Sequence, residues 1–148
     1  MRETQRMRAE MKGPASLSLL PECRTFVEEA CRTAGAGEME IFALKLAVDE
    51  AVNNVVVHGY RGLPPGDVAL VFEADAERIA VTILDRGNAF PPSNAPPPDL
   101  ESDSARRKIG GLGWHLIRSV VDELDYVTGE GGENRLTLVK RRAGPART

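Results

Sequence analysis

The strongest constraint on the fold comes from residues 38–58, which read EMEIFALKLAVDEAVNNVVVH. Their apolar residues recur with the period of an α-helix and cover a broad arc of it. The members of this arc are Ile41, Leu44, Val48, Ala51, Val52 and Val55. A helix with so wide an apolar face must bury that face, and we expect it to pack against a β-sheet. Gly59 is expected to end this helix.

The remaining elements predict how that sheet is built. Strands are predicted at 16–20, Asp67–Ala74, Arg78–Leu84, Glu123–Thr128 and Arg135–Arg141, with further helices from Pro21 to Thr33 and over Leu112–Val121. Residues 85–109 form a long proline-rich connection, which is more typical of a functional lid than of a passive loop. Because the strands come as hairpins, we predict an α+β fold, a two-layer α/β sandwich with helices on one face of a mixed, mainly antiparallel sheet.

Length and composition narrow the class of protein. A chain of 148 residues is most simply one domain, here 14–142, with a mobile or partner-binding arm at 1–13 and a tail at 143–148. The net charge of −3 argues against broad nucleic-acid binding. We expect no membrane span, since no stretch approaches about 20 apolar residues. Cys23 and Cys31 are predicted to be buried thiols, which fits a reducing cytoplasm.

Glu50 and Asn54 are the first candidates for chemistry. They lie four residues apart, so their side chains share one line of the predicted helix. Asn53 and Asn54 are poor helix formers, each costing about 0.5 kcal/mol relative to Ala, and could simply cap neighbouring loops. Alternatively, the carbonyl oxygen of Asn54 binds Mg²⁺ together with substrate phosphates, and Glu50 accepts a proton from a hydroxyl or water. His58 continues this line and could support the site.

A glycine-rich turn, IGGLGWHLI, precedes the helix predicted at Leu112–Val121. Glycines at a loop-to-helix junction let backbone N–H groups approach an anion, and the helix dipole favours negative charge there. The turn could equally serve as a flexible hinge. The basic residues before it, Arg106, Arg107 and Lys108, could neutralise phosphate, dock an acidic partner, or remain solvated.

Asp85, Arg86 and Gly87 end a predicted strand and enter the long connection. A carboxylate at this point can accept a hydrogen bond from an exocyclic amine, and a glycine beside it lets the chain pass close to a flat ring. An Asp-x-Gly sequence is also a common turn, so it carries little weight alone.

These motifs, in this order, resemble those of the Bergerat-fold (GHKL) ATPases. The segments that carry the resemblance are EAVNNVVVHGY, DRGNAF, the proline-rich connection, GGLGWHLIRSVVDELDY and NRLTLVKR, within residues 14–142. They are most similar to the branch of anti-sigma factor serine/threonine kinases, which share a histidine kinase-like ATPase domain. Ala89 stands where many relatives have a second glycine after Asp-x-Gly, so the resemblance does not determine the path of the lid.

The resemblance implies a role for each matching residue. Glu50 would be the catalytic base and Asn54 the Mg²⁺ ligand. Asp85 would accept a hydrogen bond from the adenine amine, and Gly87 would lie below the adenine ring. The residues expected along the phosphates are Arg107, Lys108, Gly110, Gly111, Leu112 and Gly113. Thr137, in the last strand, would join the network at the adenine end.

The resemblance also implies an activity and partners. It implies transfer of the ATP γ-phosphate to a serine or threonine of a STAS-domain antagonist, which competes with a sigma factor for this chain. It further implies a homodimer, with the strand at 16–20 and the first helix as the contact surface. A nucleotide-gated module that sequesters a regulator without chemistry is the alternative. The ATP-binding half of a sensor histidine kinase is a third reading, but it expects a preceding helical hairpin with an acceptor histidine.

Overall fold

The described residues form a five-stranded sheet covered on one face by three helices. The structure is a computed structural model that describes residues 6–92 and 109–143. In chain order the strands are β1 (Met7–Pro14), β2 (Asp67–Ala74), β3 (Arg78–Asp85), β4 (Glu123–Thr128) and β5 (Asn134–Arg141). The helices are α1 (Leu19–Thr33), α2 (Glu38–Asn54) and α3 (Ile109–Val120). A π-helical turn, Val55–Gly59, continues α2.

The sheet has the order β1-β2-β3-β5-β4, and all four strand pairings in the described part of the chain are antiparallel. The predicted α+β class with helices on one face is therefore confirmed, and the sheet is antiparallel rather than mixed. Because side chains alternate along a strand, each strand gives one set to the helices and the other to the open face. Those under the helices include Leu70, Phe72, Val81, Ile83 and Leu138.

The core lies between this sheet face and the helices, as the apolar arc of residues 38–58 predicts. Leu44, Val48 and Val52 of α2 are fully buried in it. Cys23 and Cys31 of α1 are buried free thiols, and burial raises the pKa of each to about 11. Such thiols remain protonated near neutral pH, which confirms their prediction as buried packing residues.

The N-terminal elements differ from the prediction. The strand predicted at 16–20 is wrong, because Leu19 already begins α1 and is buried in the core. The first strand instead covers Met7–Pro14, where an arm was predicted, and it pairs with β2 along its whole length. Its residues alternate between half-buried and exposed, as expected of a strand. Met7, Ala9 and Met11 are half-buried, and the charged residues between them hide this alternation in the sequence.

Glu40 ties the start of α2 to the C-terminal end of the described residues. The start of α2 is capped by Glu40, whose carboxylate accepts hydrogen bonds from the backbone N–H of Gly37 and of Ala143, each at 2.9 Å.

No helix in the described residues is long and apolar enough to cross a bilayer.

Candidate active site

Glu50 and Asn54, on the last turns of α2, face the first turns of α3. A Cβ added at Gly113 would lie 3.2 Å from Glu50 Oε2 and 3.5 Å from Asn54 Oδ1. The missing side chain therefore lets the backbone of α3 approach the carboxylate and the carboxamide closely. Two motifs that are about sixty residues apart in the sequence are in direct contact in the fold.

A π-helical turn, Val55–Gly59, follows Asn54 directly. Such turns are rare, and they occur frequently at functional sites. Here the turn brings Gly59 against the chain that leaves β3. A Cβ on Gly87 would lie 2.3 Å from the carbonyl oxygen of Gly59, and the N–H of Asn88 donates to that same oxygen at 2.5 Å. The glycine of Asp-x-Gly is thus required by the π-helical turn packed against it.

Asp85 is the centre of a buried polar network and is only 8% exposed. Its Oδ1 accepts hydrogen bonds from the N–H of Gly87 and from Asn134 Nδ2, each at 2.9 Å. Asn134, 1% exposed, also donates to the carbonyl oxygen of Gly87 at 3.0 Å and accepts from the hydroxyl of Thr128 at 2.8 Å. Both bonds that the described residues make to this carboxylate end on Oδ1, which leaves Oδ2 as the oxygen available to a further donor.

Aromatic rings fill the space between α2, α3 and the sheet. Phe90 stacks on His58, with ring centroids 4.6 Å apart, and on Trp114 at 6.3 Å. Tyr126 packs edge-on against Trp114 and accepts a hydrogen bond from the N–H of Phe90 at 2.9 Å. The cavity lined by Phe90, Trp114, Tyr126, Asn54 and Asp85 is about 20 Å³. Ligand pockets usually measure about 300–1,000 Å³, so this cavity must widen before a nucleoside can enter.

Within the described part of the chain, two polar atoms beside this cavity are buried without a hydrogen-bond partner: Asn54 Nδ2 and Trp114 Nε1. Leaving a buried polar group unsatisfied costs about 1–3 kcal/mol, so such groups indicate a site that a ligand completes. The described residues contain no cluster of three His, Cys, Asp or Glu side chains that could hold a metal by themselves. A carboxamide beside a carboxylate suits Mg²⁺ only when phosphate oxygens supply further ligands.

The environment of Glu50 raises the pKa of its carboxyl. Burial raises the pKa of this carboxyl above its ordinary value, and the neighbouring charge of Asp49 raises it further. A raised pKa makes the ionised carboxylate a stronger base, and groups perturbed in this way cluster at functional sites. Glu50 remains half-exposed, so a reacting group can reach it.

The glycine-rich segment is placed differently from the prediction. The helix begins at Ile109, so Gly110, Gly111 and Gly113 lie in its first turns rather than before it. The first four N–H groups of a helix have no partner within it, so those of Gly110, Gly111 and Leu112 remain available to an anion. Arg107 and Lys108 lie outside the described residues.

The structure does not bring Thr137 to this cluster, which corrects its predicted place. Leu136 and Leu138 are buried beneath the helices, so Thr137, between them, faces the open side of the sheet. There its hydroxyl lies 3.5 Å from that of Thr82 on β3. Asn134 lies two residues before Leu136 and therefore on the same, buried face of β5. It occupies the position beside Asp85 that was predicted for Thr137.

Sequence reasoning missed Asn134, Trp114, Phe90 and Tyr126 as members of the site. The signal for Asn134 was available, because an amide two residues before Leu136 falls on the buried side of the strand. Trp114 and Tyr126 look like ordinary core residues in the sequence, since the contacts of Trp114 with Phe90 and with Tyr126 are made only in the fold.

Comparison with known proteins shows the family of the chain. A sequence model of the histidine kinase-like ATPase domain matches residues 13–140. The chain belongs to this family. It is also 33% identical over 120 residues to the serine-protein kinase RsbW of Staphylococcus aureus, in strains JH9 and Newman among others. That match covers 78% of this chain and 76% of the relative.

A solved structure supports the fold. The crystal structure of the RsbU and RsbW domains of Rv1364c from Mycobacterium tuberculosis matches with a TM-score of 0.64 and 22% sequence identity. The match covers 95% of this chain and 34% of that one, so the present chain spans about a third of that larger protein. At this identity the match shows a common fold and no more.

Proposed function

We propose that this chain is an ATP-dependent serine/threonine protein kinase and anti-sigma factor whose substrate is a STAS-domain antagonist protein. The observation that carries the proposal is the contact of Gly113 in α3 with Glu50 and Asn54 of α2. Phosphoryl transfer depends mainly on positioning and on neutralising charge, and this contact supports the proposal because it brings a carboxylate, a carboxamide and the start of a helix together. Similarity to a serine-protein kinase supports the same reaction.

Each described residue has one proposed task. Asp85 accepts a hydrogen bond from the adenine amine on Oδ2, while Asn134 and the N–H of Gly87 hold Oδ1 in place. The free N–H groups at the start of α3 face the phosphates. Glu50 accepts the proton of the attacking hydroxyl. Arg107 and Lys108 remain proposed phosphate contacts outside the described residues.

Asn54 would hold Mg²⁺ through its carboxamide oxygen. Asn54 Nδ2 is buried and has no hydrogen-bond partner in the described part of the chain. Because the oxygen and nitrogen of a carboxamide are interchangeable in assignment, the oxygen can occupy this unpaired position, which fits a bound cation. When bound with ATP, the ion would neutralise charge on the phosphate oxygens. One protein ligand is sufficient where phosphates and waters complete the octahedron.

The proposed partners follow the same similarity. They are a STAS-domain antagonist, a sigma factor and a second copy of the chain, in the cytoplasm. The predicted dimer surface, the strand at 16–20 with the first helix, needs correction because Leu19 and Leu20 belong to α1. Sedimentation at tens of micromolar tests self-association, and a monomer there would exclude it.

Phosphorylation of the partner tests the function directly. Incubation with ATP, Mg²⁺ and the STAS proteins encoded nearby should add one phosphate to a serine or threonine of one of them. Intact-mass measurement detects the added group, and peptide mapping locates it. ATP binding without phosphorylation of any such protein would instead favour the nucleotide-gated binding module.

Trp114, the only tryptophan of the chain, should report nucleotide binding. Its indole is buried against Phe90 beside a cavity of about 20 Å³, so opening the cavity must change its surroundings. We expect saturable quenching of its fluorescence by ATP with Mg²⁺. A Trp114→Phe variant provides the blank. Calorimetry gives the ATP concentrations that saturate the chain. An unchanged Trp114 emission at those concentrations would contradict the placement of the adenine ring beside Trp114.

A further inference from the structure

Helix α2 carries an exposed apolar stripe that the core does not use. Met39 is 84% exposed and Phe42 66% exposed, while Leu46, one turn after Phe42, is half-buried. Large apolar side chains that are exposed next to one another commonly mark an interaction site. We call Met39, Phe42 and Leu46 the α2 stripe.

The α2 stripe lies on the same side of the helix as Glu50. At about 100° per residue, Met39, Phe42, Leu46 and Glu50 fall within an arc of about 80°. With a rise of about 1.5 Å per residue, Leu46 precedes Glu50 by roughly 6 Å and Met39 by roughly 16 Å along the axis. The stripe therefore leads along the helix surface to the proposed catalytic base.

The charged side chains beside the stripe are already paired with one another. Phe42 and Leu46 border a groove of about 410 Å³ between α1 and α2. Its ion pairs are Arg24 with Asp49 at 2.7 Å, Arg32 with Glu38 at 2.9 Å, and Lys45 with Glu28. Three cations and three carboxylates sum to zero, so the groove offers a partner apolar contact rather than net charge.

We propose that the α2 stripe is the docking surface for the phosphate acceptor. This inference rests on the proposed kinase function and adds where the acceptor binds. Glu50 and the stripe lie on one side of α2, so a protein whose hydroxyl reaches Glu50 along that side of the helix lies over the stripe. The occupant is thus a STAS-domain protein with an uncharged apolar patch roughly 6–16 Å from its serine or threonine. A second copy of the chain seated there would cover Glu50 and block transfer.

A Phe42→Ser variant tests the inference. We expect the Kd for the acceptor, measured by calorimetry with bound nucleotide, to rise about 10- to 30-fold, as for a central aromatic contact in an interface. ATP binding, thermal stability and the rate at saturating acceptor should stay unchanged, because Phe42 contacts neither the core nor the site. Val127→Ser is the matched control, since Val127 is exposed on β4, on the face of the sheet away from α2.

The outcomes separate this inference from the proposed function. Unchanged acceptor affinity in Phe42→Ser, or an equal loss in Val127→Ser, overturns the docking surface even if the parent chain transfers phosphate. Binding that weakens only in Phe42→Ser, without transfer by the parent chain, supports the docking surface and overturns the kinase. If Phe42→Ser changes only the sedimentation of the chain alone, the stripe contacts a second copy and the inference is wrong.

Discussion

A Glu50→Gln variant is expected to bind ATP as the parent chain does and to transfer phosphate about 10²- to 10⁴-fold more slowly, the usual contribution of a general base. Gln keeps the size of the side chain, so the contact with Gly113 is preserved. Single-turnover phosphorylation of the acceptor gives the rate, and Trp114 fluorescence gives the ATP affinity. Glu29→Gln, which removes an exposed carboxylate from α1, is the control and should leave both unchanged.

The pH profile of the same reaction provides a second readout. Glu50 must be ionised to accept a proton, and burial followed by the charge of Asp49 raises its pKa. The rate should therefore fall as the pH decreases through this raised pKa. Asp49→Asn removes one of the two causes and should move the fall to lower pH. A Glu50→Gln enzyme that retains its rate and its pH dependence would remove Glu50 from catalysis.

Much of the fold could be predicted because apolar periodicity reports burial directly. The arc of residues 38–58 predicted α2 and the surface it packs on, and the alternation of Ile79, Val81 and Ile83 predicted β3. Strand β1 was missed because its inward residues are small or flexible and its outward ones are Arg8, Glu10 and Lys12. An edge strand with one charged face resembles a solvated arm in the sequence.

The site was predictable to the extent that it follows helix geometry. The spacing of Glu50 and Asn54 places them together wherever the helix forms, and a glycine-rich helix start, where backbone N–H groups are free, marks a candidate partner for them. The adenine end depends on which strand lies beside Asp85 and in what register. The β3–β5 pairing sets Asp85 opposite Asn134 and Thr82 opposite Thr137. No local pattern states that register, so the resemblance led to Thr137 while the fold places Asn134 there.

The π-helical turn was also beyond local prediction. The sequence predicts one helix over residues 38–58, whereas regular α2 ends at Asn54 and Val55–Gly59 winds more loosely. Nothing in Val55-Val56-Val57-His58 indicates this by itself. The cause lies in tertiary packing, because the wider turn puts the backbone of Gly59 against Gly87 and the ring of His58 against Phe90.

A Gly87→Ala variant should therefore lose both stability and nucleotide binding. The added methyl would lie 2.3 Å from the carbonyl oxygen of Gly59 and 2.5 Å from its carbonyl carbon, and both are backbone atoms. Overpacking of this kind costs about 1–3 kcal/mol or more, which corresponds to a decrease of roughly 3–10 °C in Tm. Relief requires the π-helical turn or the Asp85 turn to move, so ATP affinity should fall at least about tenfold, the equivalent of 1.4 kcal/mol.

Gly129→Ala separates this clash from the general effect of replacing a glycine. A Cβ on Gly129 would meet only the carbonyl oxygen of Glu133 at 3.8 Å, an ordinary contact, and its backbone does not require positive φ. We expect its Tm and ATP affinity to match those of the parent chain. Calorimetric melting and Trp114 fluorescence measure both variants. If Gly87→Ala melts and binds ATP as Gly129→Ala does, the contact between the π-helical turn and the Asp-x-Gly turn does not hold the nucleotide site in shape.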